Sequence, residues 1–356
     1  MQSLQPKMNA VRYLGAEKNF EMKTVPIPTF AEAGQVIIEI KAASLCHTEL
    51  HFADGTLNLG VNDITMGHEC AGIIVSVGEG VLPTRVGERV IVYYYAGCGK
   101  CKYCLAGNEQ LCNSLSAQYG FISDGGLAHY ITVYSRNAVI LPDSINFVDA
   151  APIACSVTTA VHAMKLARPV RDEWVLIFGA NGVGFNCIQL AKHLGLKVIA
   201  VCRSAEKRSK SLQLGADVVV DASNIEMVGE SIHKITGDCG VDIIFDCVGS
   251  KETMGQCLGW TGALGKRGRM IFIGYQKGDE HAIHIHPIPL IVKEQQIIGS
   301  VGATLQDLEE AIKYVEDGII TTVIDSCIAL SAFQYGLDRM KACKCIGKIV
   351  IDDFSG

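Results

Sequence analysis

The sequence lacks three features that mark whole classes of protein. No run reaches the roughly 18 apolar residues that a membrane span needs, and Met1–Lys7 holds no apolar segment of the kind found in signal peptides. Lysine and arginine are scattered evenly, so no basic stripe could follow a phosphate backbone. These absences predict a cytoplasmic protein with small-molecule ligands and no nucleic-acid or membrane partner.

The composition favours a chain with two hydrophobic cores. Its 356 residues are 49% hydrophobic, the net charge is −6, and no internal repeat or low-complexity segment is present. A chain of this length and apolar content can bury two ordinary cores, which predicts two domains. Its 15 cysteines, four of them between residues 98 and 112, indicate metal ligation and buried thiols in a reducing compartment more than a disulfide framework.

The pattern of the chain changes near Pro152. Before it, short β-rich runs at 36–40, 70–77 and 89–95 are separated by glycine clusters. After it, strands alternate with helices, which is typical of a doubly wound parallel sheet. The predicted strands are 174–178, 197–201, 217–220, 241–245 and 269–273, and the predicted helices between them are 182–194, 225–236 and 251–260. Helices at 305–316 and 331–342 and a strand at 346–351 complete the prediction.

Four cysteines, Cys98, Cys101, Cys104 and Cys112, follow a C-x2-C-x2-C-x7-C spacing. Thiolates at this spacing can converge on one tetrahedral zinc ion and fill its shell, which predicts a structural site. An iron–sulfur cluster is the alternative, because C-x2-C-x2-C also opens a ferredoxin motif. The final interval of seven residues and the absence of a proline after Cys112 favour zinc.

A second group of metal-binding side chains is spread along the sequence. Cys46-His47-Thr48-Glu49-Leu50-His51 and Gly67-His68-Glu69 precede the four cysteines, and Cys155 stands just before the alternating half. Two thiolates and one imidazole would leave one position of a zinc ion open for a substrate oxygen. Each residue alone is more often structural, so the hypothesis depends on the whole set.

The third motif is a glycine-rich turn, Gly179-Ala180-Asn181-Gly182-Val183-Gly184, between a predicted strand and a predicted helix. That context predicts a dinucleotide site, with the pyrophosphate at the helix N-terminus. Asn181 replaces the middle glycine of G-x-G-x-x-G. We interpret the motif as a variant, because asparagine tolerates a left-handed backbone and Gly182 keeps the turn slim.

The order and spacing of these motifs resemble those of the zinc-containing medium-chain alcohol dehydrogenases over nearly the full length. The resemblance implies a mostly β, GroES-like catalytic domain over 1–156 and 302–356, and a Rossmann domain over 157–301. It implies that Cys46, His68 and Cys155 hold the catalytic zinc, with Glu69 beside them as an alternative ligand or a neighbour of the ligands. It also implies a proton path from the substrate through Thr48 and the cofactor ribose to His51. Glu49 stands where the family usually has an aspartate supporting the zinc-bound histidine.

The resemblance also bears on the cofactor. NAD-dependent relatives carry an acid after the second strand of this domain, where this chain has Cys202-Arg203-Ser204. A guanidinium without a carboxylate favours a 2′-phosphate, so NADP(H) is the first prediction and NAD(H) the alternative. Matching to the family places His47 and Lys348 near the pyrophosphate, Lys207 near the adenosine ribose, and Thr159 and Ile273 at the nicotinamide.

The resulting hypothesis is a zinc-dependent oxidoreductase that passes hydride between an alcohol or carbonyl compound and a nicotinamide cofactor, as a homodimer or homotetramer. Two alternatives remain open. One is a double-bond reductase of the same superfamily that needs no catalytic zinc, and the other is a non-catalytic cofactor-binding protein with the structural zinc alone. The complete set of Cys46, His68 and Cys155 argues against the first.

Overall fold

The computed structural model describes residues 6–15, 19–282 and 285–355. Contacts divide the described chain into two units. The first unit contains the described residues up to Cys155, Ala303–Glu316 and those from Ile324 onward, and the second contains Ser156–Gly302 and Asp317–Val323. The sequence-based division placed all of 302–356 in the first domain. The difference arises at Gln189, whose side-chain amide accepts from the Thr321 N–H (2.9 Å) and donates to its carbonyl (3.1 Å), which ties this segment to the second unit.

The first unit is mostly β, as predicted. Its N-terminal strands are β1 (Lys7–Tyr13), β2 (Phe20–Pro26), β3 (Gln35–Ser44), β4 (Ile64–Thr65), β5 (Glu69–Val77), β6 (Arg89–Val92), β7 (Tyr95–Ala96), β8 (Ala117–Gln118), β9 (Tyr130–Tyr134) and β10 (Ala138–Ile140). Its helices in this part are α1 (His47–Ala53), α2 (Lys102–Leu105) and α3 (Phe147–Ala150). The long strand β3 is central, because β5 and β9 both pair with it in antiparallel register.

The second unit is a six-stranded parallel sheet with helices between the strands. Its strands are β11 (Trp174–Phe178), β12 (Lys197–Cys202), β13 (Val218–Asp221), β14 (Val241–Asp246), β15 (Leu264–Phe272) and β16 (Gln296–Gly299). Its helices are α4 (Ser156–Ala167), α5 (Gly182–His193), α6 (Ala205–Gln213), α7 (Val228–Thr236), α8 (Lys251–Cys257) and α9 (Pro287–Val292). The spatial order β13-β12-β11-β14-β15-β16 reverses between β11 and β14, where such sheets bind ligands. The predicted doubly wound sheet is confirmed.

The chain then returns to the first unit. The returning elements are α10 (Leu305–Glu316), β17 (Ile324–Ala329), α11 (Phe333–Lys341) and β18 (Lys348–Asp353). Strand β18 pairs with β3 through Val350 and Ser44, and Ser44 pairs on its other side with Glu69 of β5. This row of three strands brings the start of β18 close to the start of β5.

Within the described part of the chain, no single helix is long and apolar enough to cross a membrane. Residues 147–154 and 156–167 meet the length and composition criteria together, but only as a pair bent by 42°.

Candidate metal centres and cofactor site

The four-cysteine loop brings its sulfurs together. The Sγ atoms of Cys101 and Cys104 are 3.5 Å apart, those of Cys101 and Cys112 are 3.8 Å apart, and those of Cys98 and Cys104 are 4.0 Å apart. A tetrahedral ion with Zn–S bonds of about 2.3 Å separates its sulfurs by about 3.8 Å. The spacing therefore fits one ion with a shell filled by thiolates.

Backbone amides complete this loop. The Cys98 N–H donates to Cys112 Sγ (3.4 Å), and the Cys104 N–H donates to Cys101 Sγ (3.5 Å). Amides of Lys100 and Cys101 lower the pKa of the Cys98 thiol to about 6, because N–H donors stabilise the thiolate. The thiolate, the form in which cysteine binds zinc, is therefore favoured at Cys98, whereas burial raises the pKa of the Cys104 thiol, to about 12.

The second donor set comes from separate segments. Cys46 follows β3 and caps α1, His68 precedes β5, Glu69 begins β5, and Cys155 follows a short 3₁₀ turn. One donor atom from each of the four lies within 4.8 Å of the others. Gly67 enables the approach: its φ is +93°, and a Cβ there would stand 2.6 Å from Leu127.

Charge and hydrogen bonding in this second set fit a bound zinc ion. His68 and Glu69 are at most 1% exposed, yet both ring nitrogens of His68 and Oε2 of Glu69 have no hydrogen-bond partner among the described residues. Buried polar atoms are rarely left in that state, so the set calls for a ligand. Two thiols, an imidazole and a carboxylate are donors that zinc accepts.

Lys348 is the counter-charge of this set. Its Nζ donates to Glu69 Oε1 at 2.7 Å, and both side chains are buried. Burial raises the pKa of Glu69, to about 8, although the Lys348 ammonium opposes the shift. The sequence-based expectation was that Lys348 lies near the cofactor pyrophosphate. Within the first unit the structure places Lys348 against Glu69, a contact that no local sequence motif predicts.

Glu49 contacts two residues of the second donor set, Cys46 and His68. Its Oε2 accepts from the Cys46 N–H (2.8 Å), and its Oε1 lies 3.7 Å from His68 Nδ1. Complete burial raises the pKa of Glu49 to about 7. Glutamate, one methylene longer than aspartate, thus reaches both the backbone of one donor and the ring of another.

The residues predicted to form a proton relay, Thr48 and His51, lie on helix α1. Thr48 Oγ1 donates to Cys46 Sγ at 3.5 Å, so its hydroxyl is next to the donor set. His51 is partly buried and lies one turn further on, with its ring centroid 6.3 Å from that of the exposed His47. Burial lowers the pKa of His51, while the charges of Asp54 and Cys46 oppose the shift. At neutral pH its imidazole is therefore ready to accept a proton.

Two aromatic rings that sequence reasoning missed face the donor set. The rings of Phe121 and Tyr94 lie 4.8 Å and 5.2 Å from the His68 ring, measured between centroids. They are nearly parallel to each other, at 5.6 Å and 25°. They give the donor set an apolar wall. A run of three tyrosines at 93–95 is visible in the sequence, but nothing there relates it to His68.

The glycine turn of the second unit has the predicted shape, with one correction. Gly179 has a φ of +88°, and a Cβ on Gly184 would stand 2.3 Å from the Gly179 carbonyl oxygen, so both positions require glycine. Asn181 has a φ of −156°, an extended conformation open to any residue. The tolerance of asparagine for a left-handed backbone was therefore the wrong reason for this variant. Helix α5 begins at Gly182, followed by Val183, so its free amides face the turn.

The end of β12 carries the residues predicted to select the cofactor. Arg203 is exposed, Ser204 caps α6 by accepting from the Lys207 N–H, and Lys207 lies in the first turn of that helix. The carboxylate on the neighbouring strand, Asp221, is ion-paired with Arg208 at 2.9 Å. Of the two residues predicted at the nicotinamide, Thr159 is buried in α4 and Ile273 follows β15.

A donor set of two thiols, an imidazole and a carboxylate, a second set of four thiols, and a dinucleotide-type turn on a parallel sheet define a zinc-dependent dehydrogenase. Comparison with known proteins agrees. A family model described as "Alcohol dehydrogenase GroES-like domain" matches residues 32–143, and one described as "Zinc-binding dehydrogenase" matches residues 182–317. The predicted GroES-like character of the first unit is thereby confirmed.

Individual relatives match almost end to end. An alcohol dehydrogenase of Geobacillus stearothermophilus is 32% identical over 94% of this chain and 96% of its own length. An NAD-dependent alcohol dehydrogenase of Saccharolobus solfataricus is 30% identical over 97% of this chain and 99% of its own. The solved alcohol dehydrogenase of Aeropyrum pernix is 30% identical, with a TM-score of 0.89 over 97% of this chain and all of its own. The chain belongs to the zinc-containing medium-chain alcohol dehydrogenase family.

Proposed function

We propose that this enzyme interconverts a small alcohol and its aldehyde or ketone, using zinc and a nicotinamide cofactor. The observation that carries the proposal is the set of Cys46, His68 and Cys155, in which His68 is buried and the two cysteines are partly buried, with Glu69 held by Lys348. Cys46, His68 and Cys155 would hold the zinc ion, and Glu69 would be an alternative ligand beside a substrate oxygen. A zinc ion held there would supply polarisation of that oxygen, and a bound nicotinamide would supply the hydride chemistry.

The chain's own residues would handle the proton. Thr48 Oγ1 both donates and accepts, and it lies beside the Cys46 sulfur, so it can take the proton of an alcohol bound at the open position. The proton would pass by way of the cofactor ribose to His51, whose lowered pKa keeps it a neutral acceptor. The aromatic rings of Tyr94 and Phe121 would exclude water on one side.

For the cofactor we propose NADP(H) ahead of NAD(H). In the described part of the chain the Arg203 guanidinium is exposed without a hydrogen-bond or ion-pair partner, and Arg208 already neutralises Asp221. The free guanidinium is suited to a 2′-phosphate. The turn from Gly179 to Gly184 would hold the pyrophosphate, with His47 and Lys348 contributing charge. Lys207 and Ser204 would lie by the adenosine ribose, and Thr159 and Ile273 by the nicotinamide.

The cofactor proposal is tested with Arg203→Ala. The variant should raise KM for NADP(H) about tenfold or more and leave KM for NAD(H) nearly unchanged, since NAD(H) has no 2′-phosphate to pair. Lys210→Ala, on the same helix as Lys207, is the control for a general loss of positive charge. A wild-type enzyme that is tenfold better with NAD(H) contradicts the proposal.

The reaction itself is tested by zinc analysis together with a substrate panel. Primary, secondary, aromatic and polyol substrates are assayed with both cofactors, and two zinc ions per chain are expected. A double-bond reductase or a non-catalytic cofactor-binding protein would each carry one zinc. One zinc per wild-type chain, or no turnover of any alcohol or carbonyl compound, contradicts the proposal.

We also propose that the enzyme works in the cytoplasm as a homodimer or homotetramer. Strand β16 is an edge strand of the second unit. Exposed apolar side chains precede and follow it in the sequence, at Ile288, Ile291, Val292 and Val301. A second copy could cover such an edge. Light scattering checks the assembly state, and a monomer at micromolar concentration contradicts it. A reducing compartment would keep the ligand cysteines as thiols.

A further inference from the structure

One buried asparagine is hydrogen-bonded to the backbone of the two residues that flank Tyr94. Asn137 is fully buried, and its Nδ2 donates to the carbonyl oxygens of Tyr93 and Tyr95, at 2.7 Å each. Its own backbone carbonyl accepts from the Tyr93 N–H at 2.8 Å. The segment lies between β6 and the four-cysteine loop, and these three bonds hold its backbone at Tyr93 and Tyr95.

The bonds matter because of where the Tyr94 ring lies. That ring contacts His68, a donor of the second set, and stacks on Phe121. The Tyr93 carbonyl belongs to the peptide group before Tyr94, and the Tyr95 carbonyl to the peptide group after Tyr95, so Asn137 restrains the backbone on both sides of Tyr94. Such a restraint limits the direction of the Tyr94 Cα–Cβ bond, and hence where its buried ring can lie. Hydrogen bonds in a buried setting are also costly to break, because the freed carbonyls find no water.

We propose that Asn137 is a positioning residue that holds the Tyr94 ring against His68 and thereby sets which alcohols fit beside the metal. The proposal rests on the proposed function. Asn137 itself touches none of the donor atoms, so it acts through Tyr94. Loss of the Asn137 hydrogen bonds should let the Tyr94 ring move away from His68. The space beside the metal would then be larger, which favours bulky alcohols over small ones.

The second unit offers a matched control. The side-chain amide of Gln295 also donates to two backbone carbonyls. Gln295 is 8% exposed, and its Nε2 donates to the carbonyl oxygens of Leu264 (2.6 Å) and Gly265 (3.2 Å). Gln295→Ala removes the same kind of bonds from another part of the chain. It should lower stability without altering substrate preference.

The test measures kcat/KM for ethanol and for benzyl alcohol in Asn137→Ala, with the less disruptive Asn137→Ser as a second variant. The ratio of the two constants should shift about tenfold toward benzyl alcohol, a change of the size that one reshaped apolar contact produces. Enzyme with cobalt in place of the catalytic zinc gives a readout that needs no turnover. Its visible absorption should shift in the Asn137 variants and stay unchanged in Gln295→Ala.

A double-mutant cycle establishes that Asn137 acts through Tyr94. In a Tyr94→Ala background, Asn137→Ala should have no further effect on the substrate ratio, whereas in the wild-type background it shifts that ratio. The loss of stability from Gln295→Ala should be the same in both backgrounds. Equal losses for both alcohols with an unshifted cobalt spectrum would overturn the proposal. So would variants that lose both metals, because Asn137 would then be purely structural. A wild-type enzyme without alcohol activity would instead refute the proposed function.

Discussion

The two metal-binding regions reach similar donor sets by opposite routes. The structural region takes four thiolates from residues 98–112, on one loop whose own amides bond the sulfurs. The second region takes its donors from residues 46, 68, 69 and 155, brings them together through the packing of strands, a helix start and a 3₁₀ turn, and balances their charge with Lys348. The first is a local property of the sequence, and the second is a property of the whole first unit.

This difference predicts different costs of damage. A loop that holds its own ion can lose it and fray while the rest of the unit stays paired. A donor set built into a sheet can lose its ion while the surrounding strands hold their register. Removing a ligand of the four-cysteine loop should therefore mainly lower stability. Removing a ligand of the second donor set should mainly lower catalytic activity.

The largest expected effect is that of Cys46→Ser. The zinc content should fall from two to about one per chain, and turnover should be lost, because the open-sided ion is what activates the substrate. The fold should survive, as circular dichroism and thermal melting would report. A variant with two zinc ions and wild-type activity would show that Cys46 is not a ligand.

Next come the relay residues beside the same donor set. His51→Gln should slow alcohol oxidation at neutral pH by about 100-fold, and Thr48→Ala should slow it more, with two zinc ions retained in both. The wild-type rate should rise with pH through an apparent pKa below the ordinary value for histidine. The direction follows because burial outweighs the opposing effects of Asp54 and Cys46, and only the neutral imidazole accepts a proton.

Added imidazole should restore part of the His51→Gln rate, since it supplies a proton acceptor from solution. A His51→Gln enzyme with full rate at pH 7 and an unchanged pH profile would mean that the proton leaves by another route.

The smallest effect on turnover is expected in the structural region. Cys104→Ala should remove one zinc and lower Tm, yet retain most of the activity at low temperature, because the buried donor set is untouched. Cys239→Ala, at an exposed cysteine of the second unit, is the control and should change neither quantity. Unchanged zinc content and Tm in Cys104→Ala would refute the structural assignment.

The same contrast explains what could be predicted from the sequence. Apolar runs gave β11, β12 and β14 closely, since their residues are almost all buried. Helix α6 and strand β16 were missed. Helix α6 buries only Ser211 and so shows no apolar face, and β16 is a four-residue edge strand with no buried residue. The ion pair of Lys348 with Glu69 joins residues 279 positions apart, and only the pairing of β18, β3 and β5 brings them together.

Strand β18 also determines the order in which the chain can fold during synthesis. Nearly all of the second unit, through residue 302, is made before β17 and β18 exist. Its parallel sheet can therefore form while the first unit still lacks its last two strands. Until β18 pairs with β3, Glu69 has no lysine beside it and the thiols of Cys46 and Cys155 lie in an incomplete unit. We expect zinc to enter this set only after β18 has emerged and paired with β3, whereas the four-cysteine loop can bind its ion as soon as Cys112 emerges.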